Sequence, residues 1–533
     1  MIETTMNFPY ASHRMPVMAS NAVATSQPLA AQAGLRMLLT GGNAVDAAVA
    51  AAITATIVEP TANGIGGDAF ALVWDGGALH GLNASGRAPA AWNAERFADV
   101  KQMPGIGWAS VTVPGGVSAW VALSQRFGKL PFASLFGPAI GYARDGFLVS
   151  PTIARQWAAA VRMLADQPGF ADGFMPGGRA PVAGEHFSFP DQAQTLEAIA
   201  ESNGGAFYRG MLAECMAADA HKHGAALTMA DLAAHECNWV EPIAQDYRGH
   251  TMHEIPPNGQ GLATLIALGI LEQLDVPSHP VDSAAGIHLQ IEAMKLAFAD
   301  VYAHVSDADH MRIDSREFLT PDYLRSRAAR IDPKRAQAMT TGVPRHEGTV
   351  YVTAADAGGM MVSLMQSNYR GFGSGVVVPG TGIALNNRGS GFSLDASHPN
   401  VVGGGKRPFH TIIPGFLTKD GKPVLSFGVM GANMQPQGQV QMLVRMLDHR
   451  QNVQAASDAP RWKITEDQKG VMVEFDFDAG VADELAALGH RITRAPADST
   501  DFGAAQLIHK VEGGYGGYIA ASEKRRDGQA VGF

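Results

Sequence analysis

Cysteine is nearly absent: 533 residues contain two, Cys215 and Cys237. Two thiols are too few for a disulfide framework and lack zinc-site spacing, so both are expected as buried, reduced side chains. Charge is scarce as well. Charged residues make up 17%, below the usual quarter, and the formal net charge is −10. Such an acidic chain argues against nucleic acid and against an anionic membrane surface as partners. Between Met1 and Arg14 no basic stretch leads into an apolar one, so no signal peptide is read and a cytoplasmic location is expected. The apolar run from Ala44 to about Val58 is too short to cross a bilayer, so no membrane partner is expected either. Eighteen histidines are scattered without an HExxH motif or a close His/Cys/carboxylate cluster. No catalytic metal and no cofactor is therefore expected. No internal repeat or long low-complexity tract divides the chain.

What is present is material for one large core, with hydrophobic residues at 46%. Ser26 reads as the N-cap of a helix that takes Pro28 in its first turn and stops at Gly41-Gly42. Asn43 caps a second helix, Ala44 to about Val58, whose only ionisable residue is Asp46; a helix apolar on nearly every face belongs inside the fold. The loop Gly64-Ile65-Gly66-Gly67 follows a helix and enters a strand-like Ala69 to Trp74. A dinucleotide loop needs strand, then GxGxxG, then helix, so a tight turn passing close to other backbone is read instead. Phe136 to Gly146, Gln192 to Ser202, Gly261 to Leu274 and Ser283 to Tyr302 carry apolar residues at helical spacing. His288 and His304 lie on or just past the last of these and read as structural. Arg325 to Arg345 is polar and basic and reads as a flexible segment. Beyond it the text is strand-rich, with Thr411 to Pro414 and Val424 to Phe427 as strands and Gln437 to Leu447 as a helix.

One stretch organises the rest. From Thr349, polar and β-branched residues alternate to Asp356; Asp356-Ala357-Gly358-Gly359 supplies a turn, and Met360 to Asn368 returns as a second strand. A threonine opening a strand is usually structural. Here it follows Gly348, and a Gly-Thr bond at a strand entrance can let the hydroxyl attack the preceding carbonyl. Cleavage there would give Thr349 a free α-amine beside its hydroxyl, nucleophile and base in one residue.

Gly348 to Ser393 resembles the small-subunit start of the γ-glutamyltransferase (γ-glutamyltranspeptidase) family of N-terminal nucleophile hydrolases. Gly41-Gly42-Asn43-Ala44-Val45-Asp46-Ala47-Ala48 and the loop Asn63 to Phe70 resemble family motifs, as do Val113-Pro114-Gly115-Gly116, Pro256 to Gly261 and Glu292 to Asp300. Leu385-Asn386-Asn387, Lys406-Arg407-Pro408 and Gly428-Val429-Met430-Gly431 extend the likeness through the second half. The order of these motifs is specific to the family. The resemblance implies an α+β fold, a four-layer αββα sandwich, in which 1–348 is the large subunit and 349–533 the small one. These would be two products of one folding unit, cut at Gly348-Thr349 and staying assembled.

The resemblance also implies acyl transfer. Thr349 would attack a substrate amide, its α-amine taking the proton at an ordinary pKa of about 7.7–8.0, with the Gly431 and Ala432 N–H groups as oxyanion hole. Gln366 falls where the family has a second threonine supporting the nucleophile, and Asn368 matches its substrate-positioning asparagine. Arg87 stands for the arginine that grips the substrate α-carboxylate, about two positions later than in the family. Three departures bear on the substrate. Gly391 replaces the acid that holds a γ-glutamyl ammonium, Arg388 replaces a neutral residue, and His410-Thr411 replace paired serines. The leading expectation is a self-processing hydrolase or acyltransferase for γ-glutamyl amides such as glutathione. The alternative is an acylase or amidohydrolase for another carboxylate-bearing amide, glutaryl-type or oxamate-type, since a lost anion and a gained cation favour an acid. A third reading is a non-processing binding protein.

Overall fold

The computed structural model of the protein describes residues 14–337, 349–465, 467–513 and 516–533. Two seven-stranded sheets carry the architecture. One runs in space Gln529–Gly532, Ala22–Thr25, Val350–Ala355, Met361–Ser367, Asp68–Trp74, Leu79–Ala84, Asn238–Val240. The other runs Val17–Ala19, Tyr518–Ser522, Ala504–Lys510, Lys422–Met430, Gly415–Lys419, His250–Glu254, Ile243–Tyr247. The central hairpin is as expected: Val350 pairs with Gln366 and Ala355 with Met361, antiparallel, around the Asp356–Gly359 turn.

Two-residue alternation sorts the strands into layers. Tyr351, Met365, Phe70 and Leu72 from the first sheet pack with Phe416, Met430 and Ile508 from the second, forming the core between them. The intervening residues Val350, Val352, Val362, Leu364 and Val73 point the other way, onto the helices Pro28–Leu39, Ala44–Val58, Gly137–Asp145 and Pro190–Glu201. On the second sheet, Leu425, Phe427 and Val429 face Gly261–Glu272, Ala284–His304 and Met434–Leu443. The order is helix, sheet, sheet, helix, the expected αββα sandwich. Each fully buried Leu, Val or Phe contributes roughly 1.5–3 kcal/mol, so these cores give the chain ample driving force.

Both halves of the chain build both sheets. Ala22–Thr25 pairs with Val350–Ala355 and with Gln529–Gly532, and His250–Glu254 pairs with Gly415–Lys419. The Ala44–Val58 helix is buried at every position, and Asn43 and Asp46 form a reciprocal capping box at its start. No described helix is long and apolar enough to cross a membrane.

Several local expectations are corrected. The first helix is capped by Gln27, because Ser26 instead donates to Glu59 Oε2 at 2.5 Å. Cys215 and Cys237 are free but only partly buried. Residues 411–414 form no strand; their polar groups are engaged by side chains instead. The Gln437 to Leu447 helix starts at Met434 and passes at Val444–Asp448 into a π-turn. Of the expected flexible segment, residues 325–328 belong to the helix Pro321–Ala328 and Ala336 donates its N–H to Leu488 O at 2.7 Å; residues 338–345 lie outside the described ones.

Candidate active site

Thr349 stands just before the Val350–Ala355 strand, with 2% of its surface exposed. Strand alternation decides its direction: Val350 faces the helices, so Thr349 faces inward with Tyr351. Its hydroxyl donates to Ser367 Oγ at 3.4 Å and accepts from the Gln435 amide at 3.4 Å. Gln435 is fixed by the Ile413 N–H, which donates to its carbonyl oxygen at 3.0 Å, and Ser367 Oγ accepts the Tyr369 N–H at 2.7 Å. Gly348, the other half of the expected scission bond, lies outside the described residues.

Gly431 and Ala432 turn the chain from the Lys422–Met430 strand into the Met434–Leu443 helix, at φ values of +114° and +50°. The second is uncommon for a residue with a Cβ. The Ala432 carbonyl accepts from Gln260 Nε2 at 2.8 Å and from Gln435 N at 3.1 Å, while its N–H has no acceptor among the described residues. A buried N–H left open in this way suits an anion that forms transiently. The helix that follows is buried throughout and carries glutamines as ties. Gln439 donates to Ile413 O at 2.9 Å and accepts from the Thr264 hydroxyl at 2.6 Å.

Arg388 is fully buried, with 0% exposure. Its Nη1 donates to Thr411 Oγ1 at 3.0 Å, and its guanidinium lies 4.1 Å from the centre of the Tyr369 ring. Its Nε and Nη2 have no hydrogen-bond partner among the described residues. Burial pushes the guanidinium down to about 10, with Asp68 acting in the opposite sense, so it is a cation at neutral pH. Two short paths join it to Thr349. One runs through Tyr369 and Ser367, the other through Thr411, Ile413 and Gln435.

The glycine and asparagine motifs build the wall behind this cation. Gln260 holds Thr411 O at 2.7 Å and receives no bond on its own carbonyl oxygen from the described residues; its N–H donates to His410 O at 2.9 Å. Asn386 Oδ1 accepts from Thr112 and from Arg388 N, and its amide donates to Gly66 O and Thr112 O at 3.1 Å. His410 is completely buried. Its Nδ1 accepts the Ile412 N–H at 3.3 Å, which places the proton on Nε2, facing Asp68 Oδ2 at 3.1 Å. Burial, and secondarily the charge of Arg388, pushes the imidazole down to about 3, so the ring is neutral. Both ring nitrogens are spent on the protein, which makes His410 a positioning residue for Thr411.

The structure also places three further expected residues. Gln366 is not beside Thr349: it opposes Val350 and faces the helices, where it bonds Trp120 Nε1, Ala52 O and Asn63 Oδ1. A one-residue shift reverses the face of a strand, and Ser367 takes the place beside the hydroxyl. Asn368, expected to position substrate, packs on the glycine loop, and its Oδ1 has no hydrogen-bond partner among the described residues. A Cβ on Gly67 would lie 2.7 Å from its Oδ1, and one on Gly64 2.7 Å from its Nδ2. The loop is therefore the close backbone passage read from its context. Arg87, the expected clamp, donates through Nη1 to Asp307 Oδ2 at 3.2 Å and to Gly405 O at 3.0 Å. Sequence reasoning missed Tyr369, Gln435 and Gln260. Only tertiary contact gives them roles, though Gln260 lies inside a quoted motif.

Away from this site, His288, Glu292 and His490 come within reach of a common ion. Lys295 Nζ already donates to Glu292 at 2.7 Å, and His490 bonds His288 at 2.8 Å, whose other nitrogen faces Asp332 O at 2.8 Å. The cluster ties residues 332–337 to the Ala284–His304 helix, and an ammonium fills the cationic place.

A sequence profile described as Gamma-glutamyltranspeptidase matches residues 30–533. The crystal structure of cephalosporin acylase from Bacillus halodurans superposes with a TM-score of 0.94 at 47% identity, over 99% of each chain. The glutathione hydrolase-like YwrD proenzyme of Bacillus subtilis is 36% identical over 95% of this chain and 97% of its own length. The oxamate amidohydrolase proenzyme of Klebsiella pneumoniae is 35% identical over 95% and 97%.

Proposed function

This chain belongs to the gamma-glutamyltranspeptidase family, and on that premise we propose that it is a self-processing amidase cut between Gly348 and Thr349 into 1–348 and 349–533. Interleaved strands from both pieces would keep them assembled. The freed Thr349 amine then takes the proton of its own hydroxyl as the oxygen adds to the substrate amide carbon. The Ala432 N–H, with that of Gly431, receives the oxyanion, and Gln435 and Ser367 orient the hydroxyl. Collapse of the tetrahedral adduct breaks the C–N bond, and the protonated amine of Thr349 gives its proton to the departing amine. Water repeats the sequence on the acyl-enzyme and releases the acid; a second amine in its place gives transfer.

The acyl group carries a carboxylate and no ammonium, a glutaryl-type rather than a γ-glutamyl group. The observation that carries this is Arg388, a buried guanidinium with two unengaged nitrogens two short paths from Thr349. Gly391 supplies no acid for an ammonium. Glutathione hydrolysis is the second reading, favoured by the printed name of the Bacillus subtilis relative. Purified protein run on a denaturing gel, against Thr349→Ala, tests processing: two pieces are expected from the first and one from the variant. Glutaryl- and γ-glutamyl-p-nitroanilide, compared by kcat/KM, test the acyl group. Preference for the γ-glutamyl compound would overturn the glutaryl assignment in favour of the second reading.

A further inference from the structure

Tyr369 lies just past the end of the Met361–Ser367 strand and is buried, with 1% of its surface exposed, yet its φ is +82°. A ring-bearing residue in the left-handed region is an outlier that persists only where its surroundings over-determine it. They do so here. The Asn387 N–H donates to Asn368 O at 3.1 Å, and Asn387 Oδ1 accepts the Arg370 N–H at 3.1 Å. The residues on both sides of Tyr369 are thereby tied to the one that precedes Arg388. The Tyr369 N–H itself donates to Ser367 Oγ, the group that meets the Thr349 hydroxyl. This backbone brings two cations to one ring. The buried Arg388 guanidinium lies over it at 4.1 Å from its centre, and that of the partly exposed Arg370 lies at 5.3 Å.

A buried guanidinium with open nitrogens gains by turning toward any carbonyl within reach, and one satisfied in that way has nothing left for a substrate. The ring opposes this turn. It covers one face of Arg388 and attracts the charge, an interaction that a planar guanidinium makes without giving up a donor. Nε and Nη2, which have no partner among the described residues, then stay available along the edge, where a carboxylate can take both at once. We propose that Tyr369 sets the choice between acid-bearing and neutral acyl groups, as a positioning residue whose ring, fixed by its left-handed backbone, holds Arg388 ready for a carboxylate. The face of the ring does the positioning, and the phenol has no part in it. This assignment rests on the acid-bearing acyl reading given above, but it is tested separately.

The test compares glutaryl- and pentanoyl-p-nitroanilide, amides that differ in a terminal carboxylate against a methyl group. Unsubstituted protein is expected to favour the glutaryl compound in kcat/KM. Tyr369→Leu should lower that ratio by roughly tenfold, the scale of a desolvated cation–π contact. The change should appear in KM for the glutaryl compound, because Arg388 meets the carboxylate before the reaction as well as during it. Tyr369→Phe keeps the ring and should keep the ratio. If the leucine substitution prevents folding, Tyr369→Asn removes the ring with a side chain that the left-handed region tolerates. A ratio that survives loss of the ring overturns the proposal, as does one that falls in Tyr369→Phe. A drop in kcat shared equally by both substrates also overturns it, since the effect would then run through the backbone to Ser367. Absence of any glutaryl preference in unsubstituted protein defeats the acyl reading, and urea melts then judge the hold of the ring on Arg388 by itself. Tyr369→Leu should lower the midpoint more in the parent than in an Arg388→Met background, and equal shifts would show that the ring holds no cation.

Discussion

Replacing Arg388 by Met should move activity and stability in opposite directions, which few core substitutions do. The guanidinium is fully buried, bonded once to Thr411 and stacked on Tyr369, with two nitrogens unengaged. An acyl carboxylate would take both in a bidentate grip, each bond worth about 1.5–3 kcal/mol as a charge-assisted contact. Desolvating the carboxylate takes back part of that sum. A net loss of about 3 kcal/mol remains, roughly a hundredfold in kcat/KM.

The free protein sees the other side of the same balance. Holding this charge without a carboxylate pushes the guanidinium down to about 10. At about 1.4 kcal/mol per tenfold change in proton affinity, that corresponds to a cost of order 3 kcal/mol. Methionine fills comparable space without the charge, and such replacements are often neutral or stabilising by about 1–4 kcal/mol. An ordinary large-to-small core change would instead cost about 2–5 kcal/mol. Arg388→Met is therefore expected to lose roughly a hundredfold on glutaryl-p-nitroanilide while unfolding in urea at a midpoint equal to or above that of the parent. A variant that keeps its glutaryl activity, or one that unfolds earlier, refutes the idea of a cation waiting for its counter-ion.

Gln435→Met removes the donor to Thr349 Oγ1 and the acceptor of the Ile413 N–H; about tenfold lower kcat, with 1–3 kcal/mol less stability from the stranded N–H, is expected from steady-state kinetics and urea melts. Gly67→Ala places a Cβ 2.7 Å from both Ser367 O and Asn368 Oδ1; since backbone must move, we expect about 1–3 kcal/mol of destabilisation and a fall in kcat as Ser367 leaves Thr349. Retained activity would show that Ser367 does not orient the hydroxyl. Glu59 is buried, and burial pushes its carboxyl up to about 7 against the opposing Ser26 bond. Its folded value is raised, so its contribution is complete below the ordinary carboxylate range and is lost as pH rises through about 7. Glu59→Gln should therefore gain on the parent between pH 5 and pH 8, by up to about 3 kcal/mol. His410 and His490, both pushed to about 3, act in the opposite direction, holding stability above the ordinary imidazole range and losing it as pH falls. A parent-to-variant gap that stays flat from pH 5 to pH 8 would show that Glu59 does not titrate as its burial requires.

The hairpin and the capped Ala44–Val58 helix were readable because period and capping are local signals, whereas the layered architecture came from the family resemblance. The strands His250–Glu254 and Ile243–Tyr247 were not: they sit in a stretch dominated by helical spacing, and although they pair with each other as a local hairpin, the strand that joins them to the sheet, Gly415–Lys419, lies far along the chain. Thr349, Arg388 and Thr411 were legible as residue types in a motif. Which of Gln366 and Ser367 meets Thr349 depends on strand face, and a one-residue error in placing a supporting residue sends it to the opposite layer. Arg87 and Arg388 could not be ranked from sequence, because the difference is that Asp307 engages the first and no described carboxylate bonds the second. Gln435 and Gln260 lie 86 and 151 positions from the groups they hold, beyond any local pattern.

The same electrostatics set how far the site can discriminate. A γ-glutamyl group differs from a glutaryl group by one ammonium, which would sit within a few ångströms of a carboxylate already bound to Arg388. On the proposed acyl assignment, with Gly391 in place of an acid and Asp68 committed to His410, Gly86 and Gly115, the ammonium would meet a second cation and no uncommitted acid among the described residues named for the site. Two like charges about 5 Å apart at an effective dielectric of about 20 repel by about 3 kcal/mol. That is roughly a hundredfold, enough to reverse a preference but not to abolish turnover. Placing an acid back, Gly391→Asp, would need the Phe409 carbonyl to move, since a Cβ there would lie 2.6 Å from its oxygen. On the proposed assignment, specificity would be fixed in backbone as much as in charge. Gly391→Asp alone should lower glutaryl activity without raising γ-glutamyl activity to match, and a clean exchange of the two would show that charge alone decides.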